Sequence, residues 1–281
     1  MIERLDHLVI AVNDLDAAVE SYTKLFGYGP SWRGVNEQLG TANALFPLDN
    51  TYLELLASDG NEGPGAAMIK ATLELNGEGL SGLVLGTSNI SDIKEDLIKH
   101  GIKLQDLTLG EGVDNDQGLK RTWKNLFLPF SLTRGIFTFI IQHETGELPS
   151  VYGRSSSTIN KLDHVVINTN DPEGFKNLYG DIFGIRLALD QTVEKWGGRM
   201  LFFRLNRTTI EVIGKPDKED PFDKLWGLAW SVEDLSATHQ RLLKEGLEVS
   251  AVKEGRKENT LVCTVKSDTC SVPTLLIQHL S

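Results

Sequence analysis

The sequence predicts a protein of the α+β class, built from four copies of one small unit. Three observations carry this. Four short apolar segments read as strands: Leu5–Ile10, Leu80–Leu85, Leu162–Ile167 and Leu225–Trp230. A helix signal follows each one and closes on a glycine at a near-constant distance. From the third residue of the strand to that glycine the spacing is 20 (7 to 27), 19 (82 to 101), 20 (164 to 184) and 19 (227 to 246). Each unit then ends on a further strand-like run, at Tyr52–Ala57, Phe137–Gln142, Thr208–Ile213 and Thr274–Gln278. A repeat of this kind organises everything else in the chain.

Each element has a local cause. The first helix opens at Asn13-Asp14, residues that cap a helix start. It carries apolar side chains at Leu15, Ala18, Val19, Tyr22, Leu25 and Phe26, and stops at Gly27. The second opens at Ser88-Asn89 and stops at Gly101. The third has Pro172 in its first turn, where a missing N–H does no harm, and stops at Gly184. The fourth opens near Glu233-Asp234 and stops at Gly246. Between helix and last strand, alternating runs broken by Gly, Pro, Asn or Asp predict about three strands per unit. The units pair. Residues 1–145 hold modules at about 3–58 and 79–144, and residues 160–281 hold modules at about 160–215 and 224–281. The Pro-, Gly- and Ser-bearing stretch 146–159 reads as a linker. Units one and three are most alike: His7 to Glu54 and His164 to Glu211 both span 47 residues.

Composition narrows the class of function. The 281 residues carry 28 basic and 39 acidic side chains, a net charge of −11. That balance opposes nucleic-acid binding, which needs clustered Lys and Arg, and opposes an anionic membrane surface. No apolar stretch is long enough to span a bilayer, and the charged N-terminus does not read as a signal peptide, so a cytoplasmic location is expected. A homodimer remains open. The two cysteines, Cys263 and Cys270, form neither a disulfide framework nor a CxxC motif. There is no P-loop, no GxGxxG unit and no GxSxG elbow.

The Leu-Asp-His openings at 5–10 and 162–167, the helix ends Leu25-Phe26-Gly27 and Ile182-Phe183-Gly184, and the runs Leu53-Glu54-Leu55 and Ile210-Glu211-Val212 resemble the vicinal oxygen chelate superfamily. That superfamily includes glyoxalase I, bleomycin- and fosfomycin-resistance proteins, methylmalonyl-CoA epimerase and extradiol dioxygenases. Gly40–Leu45 ahead of Tyr52–Leu56 is similar to the glyoxalase-like subgroup. The resemblance implies four βαβββ modules, paired into two tandem domains, each an incomplete mixed β-barrel around a cleft. It also implies a divalent metal (Zn, Mn, Ni, Co or Fe(II)) held by the first and last strands of each module. Those positions are His7, Glu54 and Gln142 in the first domain, and His164, Glu211 and Gln278 in the second. Gly82 and Gly227 stand where a fourth ligand would be, which would leave room for water or a bidentate substrate. A one-residue shift of the last strands would instead bring His143 and His279 inward, giving two His and one Glu per domain, the ligand set of non-haem iron oxygenases.

The expected activity is that of a metal-dependent isomerase, epimerase or lyase. Its substrate would be a small molecule chelating through two vicinal oxygens, and the metal would stabilise an enediolate-type intermediate. Glu54 and Glu211 are the candidate catalytic bases as well as ligands. Asn43, Arg33, Arg199, Arg204 and Trp123 are candidate substrate contacts. Arg121, Arg134, Trp32, Trp196, Trp226 and Trp230 are weaker ones. An Fe(II)-dependent extradiol-type dioxygenase and a non-catalytic binding or resistance protein are the alternatives. One or both sites could be live.

Overall fold

A computed structural model describes residues 1–193, 198–217 and 219–280; the candidate Trp196 lies outside them. The first module comprises β1 (Arg4–Ala11), α1 (Leu15–Phe26), β2 (Trp32–Asn36), β3 (Thr41–Pro47) and β4 (Tyr52–Ser58). A helix with no counterpart in the repeat, α2 (Pro64–Asn76), leads to the second module. That module holds β5 (Gly79–Gly86), α3 (Ile90–Lys99), β6 (Thr108–Val113), β7 (Lys120–Phe127), the short α4 (Phe130–Thr133) and β8 (Phe137–Thr145). The third has β9 (Ile159–Thr169), α5 (Pro172–Lys176) continuing as π-helical turns over Asn177–Ile182, β10 (Arg186–Val193), β11 (Gly198–Leu205) and β12 (Thr208–Gly214). The fourth has β13 (Asp223–Val232), α6 (Leu235–Lys244), β14 (Lys253–Glu254), β15 (Thr260–Val265) and β16 (Thr274–His279).

The strands form two eight-stranded mixed sheets of identical order, β2-β3-β4-β1-β5-β8-β7-β6 and β10-β11-β12-β9-β13-β16-β15-β14. In each, the first and last strands of a module pair in parallel, and the two modules meet where their first strands pair antiparallel. The predicted caps hold: Asp14 accepts from the Ala17 N–H, and Gly27, at φ 82°, ends α1 in the left-handed region that a side chain disfavours. The two sheets are not equally open. In the first, a bridge between Gly34 and Asp114 joins β2 to the turn after β6, and the Arg33 N–H donates to Asp114 Oδ2 at 2.9 Å. The barrel is thereby nearly closed. Among the described residues, no such bridge joins β10 to β14. No helix among them is long and apolar enough to cross a membrane, and both cysteines are free.

Alternation along the strands divides each sheet into a helix-covered face and a cleft face. On β1, Leu8 and Ile10 are buried under the helices, while Val9 packs with Val84, Ile141, Leu56, Trp123 and Phe139 in a small separate cluster on the other side. The helix-side core is continuous between the two halves of the chain: the Phe26 and Trp230 rings meet edge-on at 5.0 Å. Polar contacts fasten the same seam. Arg241 on α6 donates to the carbonyls of Lys24 and Leu25 at the end of α1, and Arg134 pairs with Asp223 at 2.7 Å. Asn50, in the turn before β4, accepts from the Leu162 N–H at 3.1 Å and donates to the Leu162 carbonyl at 2.8 Å. Leu162 lies just before the point where β9 begins to pair with β12, so this side of its backbone has no strand partner. The side-chain amide of Asn50 replaces one.

Asn50→Ala would leave that buried N–H and C=O unmet. We expect a loss of about 2 kcal/mol in unfolding free energy, read from urea denaturation as one cooperative transition shifted to lower denaturant.

Candidate active site

A β-bulge builds the site. On β1, Leu5 pairs with Leu85 and His7 pairs with Val84, so Asp6 is an extra residue against β5. On β9, Leu162 pairs with Trp230 and His164 with Ala229, and Asp163 is the extra one. A bulge re-aims side chains that simple alternation would send to opposite faces. Asp6 and His7, though consecutive, therefore meet: His7 Nδ1 lies 2.9 Å from Asp6 Oδ1. The same contact between His164 and Asp163 is 2.8 Å.

The other imidazole nitrogen faces the predicted glutamate. His7 Nε2 is 3.3 Å from Glu54 Oε2, and His164 Nε2 is 3.5 Å from Glu211 Oε2. Asn43 donates to Glu54 Oε1 at 2.7 Å, and the His7 ring stacks on Tyr52 with centroids 4.4 Å apart. His143 Nε2 reaches the Asp6 carboxylate at 3.1 Å, as His279 reaches Asp163 at 2.6 Å. Arg4 Nε donates to the far oxygen of Asp6 at 3.0 Å.

These contacts set the protonation of the site. Burial alone would raise the Asp6 pKa, but hydrogen bonds from His143 and His7 outweigh it and hold Asp6 far below the usual carboxylate range. Asp163 is depressed in the same way. Burial opposes a charge on His7, yet the bonds to Asp6 and Glu54 raise its pKa above the ordinary value. The two glutamates diverge. Burial pushes both upward, but His7, Asn43 and Arg121 carry Glu54 below its ordinary value, whereas the charges of His164 and Arg256 do not offset burial and the nearby Asp163 at Glu211, which is raised. Strand register explains part of this: Asn43 lies opposite Leu56, two beyond Glu54, and the corresponding position opposite Ile213 is Met200. The second site has no amide there.

Several expectations need correction. Gln142 and Gln278 do not face the cleft. They lie on the helix-covered side with Ile140 and Leu276, and their side-chain oxygens accept the first N–H of a helix, Ile90 at 2.8 Å and Leu235 at 2.9 Å. Each amide thus satisfies a helix N-terminus, one of the orphan donors every helix leaves. The residues beyond them, His143 and His279, stand on the cleft face, one step further along β8 and β16. The glycines leave no open position either. A Cβ at Gly82 would sit 3.1 Å from Val9, and one at Gly227 would sit 2.7 Å from the Pro273 carbonyl, so close strand approach accounts for both. Of the substrate candidates, Asn43 and Trp123 reach the cleft. Arg33 pairs with Asp16 at the surface, Arg199 with Asp190 and Glu173, and the exposed Arg204 donates to Thr209. Asp6 is a site residue that alternation hid, because the bulge breaks the period of two; Tyr52 went unremarked, and His143 stands on the face that the alternative register gave it.

A divalent ion can be tested against this donor set. Two ligands about 2.1 Å from one tetrahedral ion stand about 3.4 Å apart, which the two His–Glu separations match. A carboxylate behind the distal histidine nitrogen is the usual companion of a metal-bound imidazole, and Asp6 and Asp163 fill that place. Among the described residues, no group of three or more His, Cys, Asp or Glu converges to hold a metal. Each half therefore offers two donors, and an ion held there would take its remaining positions from water or substrate oxygens.

Two measurements check this geometry. Gln142→Leu and Gln278→Leu should each cost about 1 kcal/mol of stability through the lost cap, while metal uptake stays at the wild-type level; a Gln142→Leu chain that no longer takes up metal would restore the glutamine as a ligand. In the unfolded chain Asp6 and Asp163 titrate near pH 4, and in the folded chain only well below it. Their contribution is therefore complete above about pH 4 and lost as pH falls further. Asp6→Asn should lower stability at pH 7 and flatten the acid limb of the stability curve, measured as urea midpoint against pH.

The arrangement has known relatives. Residues 5–161 match the model of the glyoxalase-like domain, and residues 163–264 match that of the glyoxalase/bleomycin resistance protein/dioxygenase superfamily. No curated protein sequence matches the chain. In fold it is similar to a mutant of 4-hydroxymandelate synthase from Streptomyces coelicolor, with TM-score 0.69 and 15% identity over 99% of this chain and 92% of that one. A hypothetical protein from Staphylococcus aureus aligns with TM-score 0.67 and 12% identity over 99% of this chain and all of its own. The Mn(II)-bound glyoxalase from Novosphingobium aromaticivorans aligns with TM-score 0.65 and 13% identity, over all of this chain and 83% of that one. With two copies of the His–Glu pair on two sheets of the same strand order, the chain belongs to the vicinal oxygen chelate superfamily, as two glyoxalase-like domains in tandem.

Proposed function

We propose that the chain is a divalent-metal-dependent enzyme that moves a proton next to a carbonyl, as an isomerase, epimerase or lyase of a small vicinal-oxygen substrate. The observation that carries this is the His–Glu pair at metal-ligand separation, backed by an aspartate and built twice by the same bulge. His7 and Glu54 would hold the ion in the first half, and His164 and Glu211 in the second. When bound, the ion would supply Lewis-acid stabilisation of the negative charge that develops on the substrate oxygen.

The chain's own groups prepare the rest. Asp6 accepts from His7 Nδ1, which fixes the ring and turns Nε2 toward the cleft. Nε2 is the position for which a proton and an ion compete. Glu54 is held ionised, with Oε1 on Asn43 and Oε2 facing His7. In that position it would hold the ion, and with Oε2 free of the imidazole it would accept a proton. The Val9, Val84, Ile141 and Phe139 side chains form a dry wall beside it, which strengthens each of these electrostatic contacts. The first half is the better candidate for the working site. Its barrel is nearly closed, its glutamate has a lowered pKa where that of Glu211 is raised, and Asn43 supports that glutamate.

An Fe(II)-dependent dioxygenase ranks second. His143 and His279 do stand on the cleft face, but each is tied to the aspartate of the bulge rather than turned toward the His–Glu pair. A metal-free binding protein ranks third.

The decisive test is elemental analysis of untagged protein purified without chelator. One or two divalent ions per chain are expected, together with a rise in melting temperature on adding the ion back to stripped protein. His7→Ala should remove the ion of the first half and His164→Ala that of the second. Protein that stays metal-free after exposure to Zn, Mn, Ni and Fe(II) in turn overturns the reading. Oxygen uptake by the iron-loaded chain would favour the dioxygenase.

A further inference from the structure

The first barrel buries a cation that the His–Glu site does not account for. Arg121 on β7 is only 6% exposed. Its Nε–H is buried without a hydrogen-bond partner. Its polar contact to His143 is long, 3.5 Å from Nη2 to Nδ1, and its guanidinium lies 5.6 Å from the ring centroids of both Trp32 and Tyr52. Arg33, Arg134 and Arg199 each pair with a carboxylate. Arg121 forms no such pair among the described residues. Rings on two sides flank the cation and the Tyr52 hydroxyl accepts a hydrogen bond from it, but no carboxylate among the described residues meets it and its Nε–H keeps no partner. A buried polar donor left unmet is costly, and where one persists a ligand is a natural partner.

Its position points the same way. Alternation puts Arg121, Trp123 and Asn125 on the cleft face of β7, since Leu126 between them and the helices belongs to the core. Trp123 packs with Val9, Val84 and Ile141 on that face. A Cβ at Gly112 would touch the Trp123 and Trp32 rings at 3.1 and 3.3 Å, so the two indoles line one wall. Asn125 Oδ1 is buried and unpartnered as well. The equivalent strand of the second half, β15 (Thr260–Val265), carries no arginine, and the cation that reaches Glu211 there is the exposed Arg256, in the turn between β14 and β15. The charge of Arg121 is felt at both Glu54 and Tyr52, so donor and His–Glu pair share one compartment.

We propose that Arg121 binds a carboxylate of the substrate, so that the first barrel takes a small organic acid whose body lies against Trp32 and Trp123. A guanidinium fork matches a carboxylate in two parallel hydrogen bonds. The neighbouring Glu54 and Asp6 carboxylates disfavour a doubly charged phosphate in the same space. This deepens the proposed function and rests on its placing of the substrate in this cleft.

The test uses the full chain stripped of metal and titrated by tryptophan fluorescence with benzoate, its neutral counterpart benzamide, and phenyl phosphate. Saturable benzoate binding is expected, with benzamide and phenyl phosphate far weaker. Arg121→Lys, which keeps the charge and loses the fork, should weaken benzoate binding about tenfold, and Arg121→Gln should abolish it. If Arg121→Gln does not fold, the lysine variant carries the result. Absent benzoate binding, equal binding of benzamide, tighter binding of phenyl phosphate, or an unchanged Kd in Arg121→Lys each overturns the proposal. Metal uptake is measured separately, on portions of the same stripped protein exposed to Zn, Mn, Ni and Fe(II). Benzoate binding by a chain that takes up no metal sinks only the metal reading, and metal uptake without benzoate binding sinks only this one.

Discussion

The extra residue in β1 between Leu5 and His7 governs the site more than any single contact. Without the bulge, Asp6 would point to the face opposite His7, and the histidine would lose the carboxylate that fixes its tautomer. His143, two strands over on β8, would lose the group it reaches for. The second half repeats the irregularity at Asp163 with the same partners. A local defect in pairing is normally a cost to a sheet. Here it places a carboxylate, two imidazoles and a glutamate within reach of one another in a water-poor compartment, where each contact counts for more than it would at a surface.

The two halves have kept this frame and diverged around it. The first has Asn43 on its glutamate, Arg121 beside it, and a bridge from Gly34 to Asp114 that brings the sheet edges together. The second has Met200 in the place of Asn43, the exposed Arg256 in a turn rather than a buried arginine on the strand equivalent to β7, and, among the described residues, no bridge between its sheet edges. His7 and Glu54 are accordingly less exposed than His164 and Glu211, with side chains at 3% and 14% against 16% and 21%. The opposite displacement of the two glutamate pKa values follows from these differences rather than from any change in the pair itself.

Much of this was legible in the sequence because it depends on short-range rules. Caps, glycine stops and the 3.6-residue period located α1, α3, α5 and α6, and the matching 47-residue spans linked His7 to Glu54 and His164 to Glu211. What failed was inference about facing. A strand's period of two assigns Gln142 to a face only if the register is known, and the end of an apolar run does not reveal that the helix above needs an acceptor for its first N–H. The same period hides Asp6, since a bulge has no sequence signature of its own. Arg121 was one arginine among several until burial and missing partners separated it from Arg33 and Arg199, whose partners lie far away in sequence or on a neighbouring strand. The helix α2 belongs to no repeat and so had no template.

The turn at Asn50 carries a consequence for how the molecule can be divided. Its amide completes the backbone of β9 in the other half, close to His164, while Trp230 from that half completes the core around Phe26. Each half therefore holds a piece of the other's interior. Cutting the chain at the linker would strip a strand of its hydrogen-bond partner and expose an indole to water on one side, and open a hole beside α1 on the other. Repetition in this protein occurs at the scale of a quarter of the chain, but cohesion exists only at the scale of the whole.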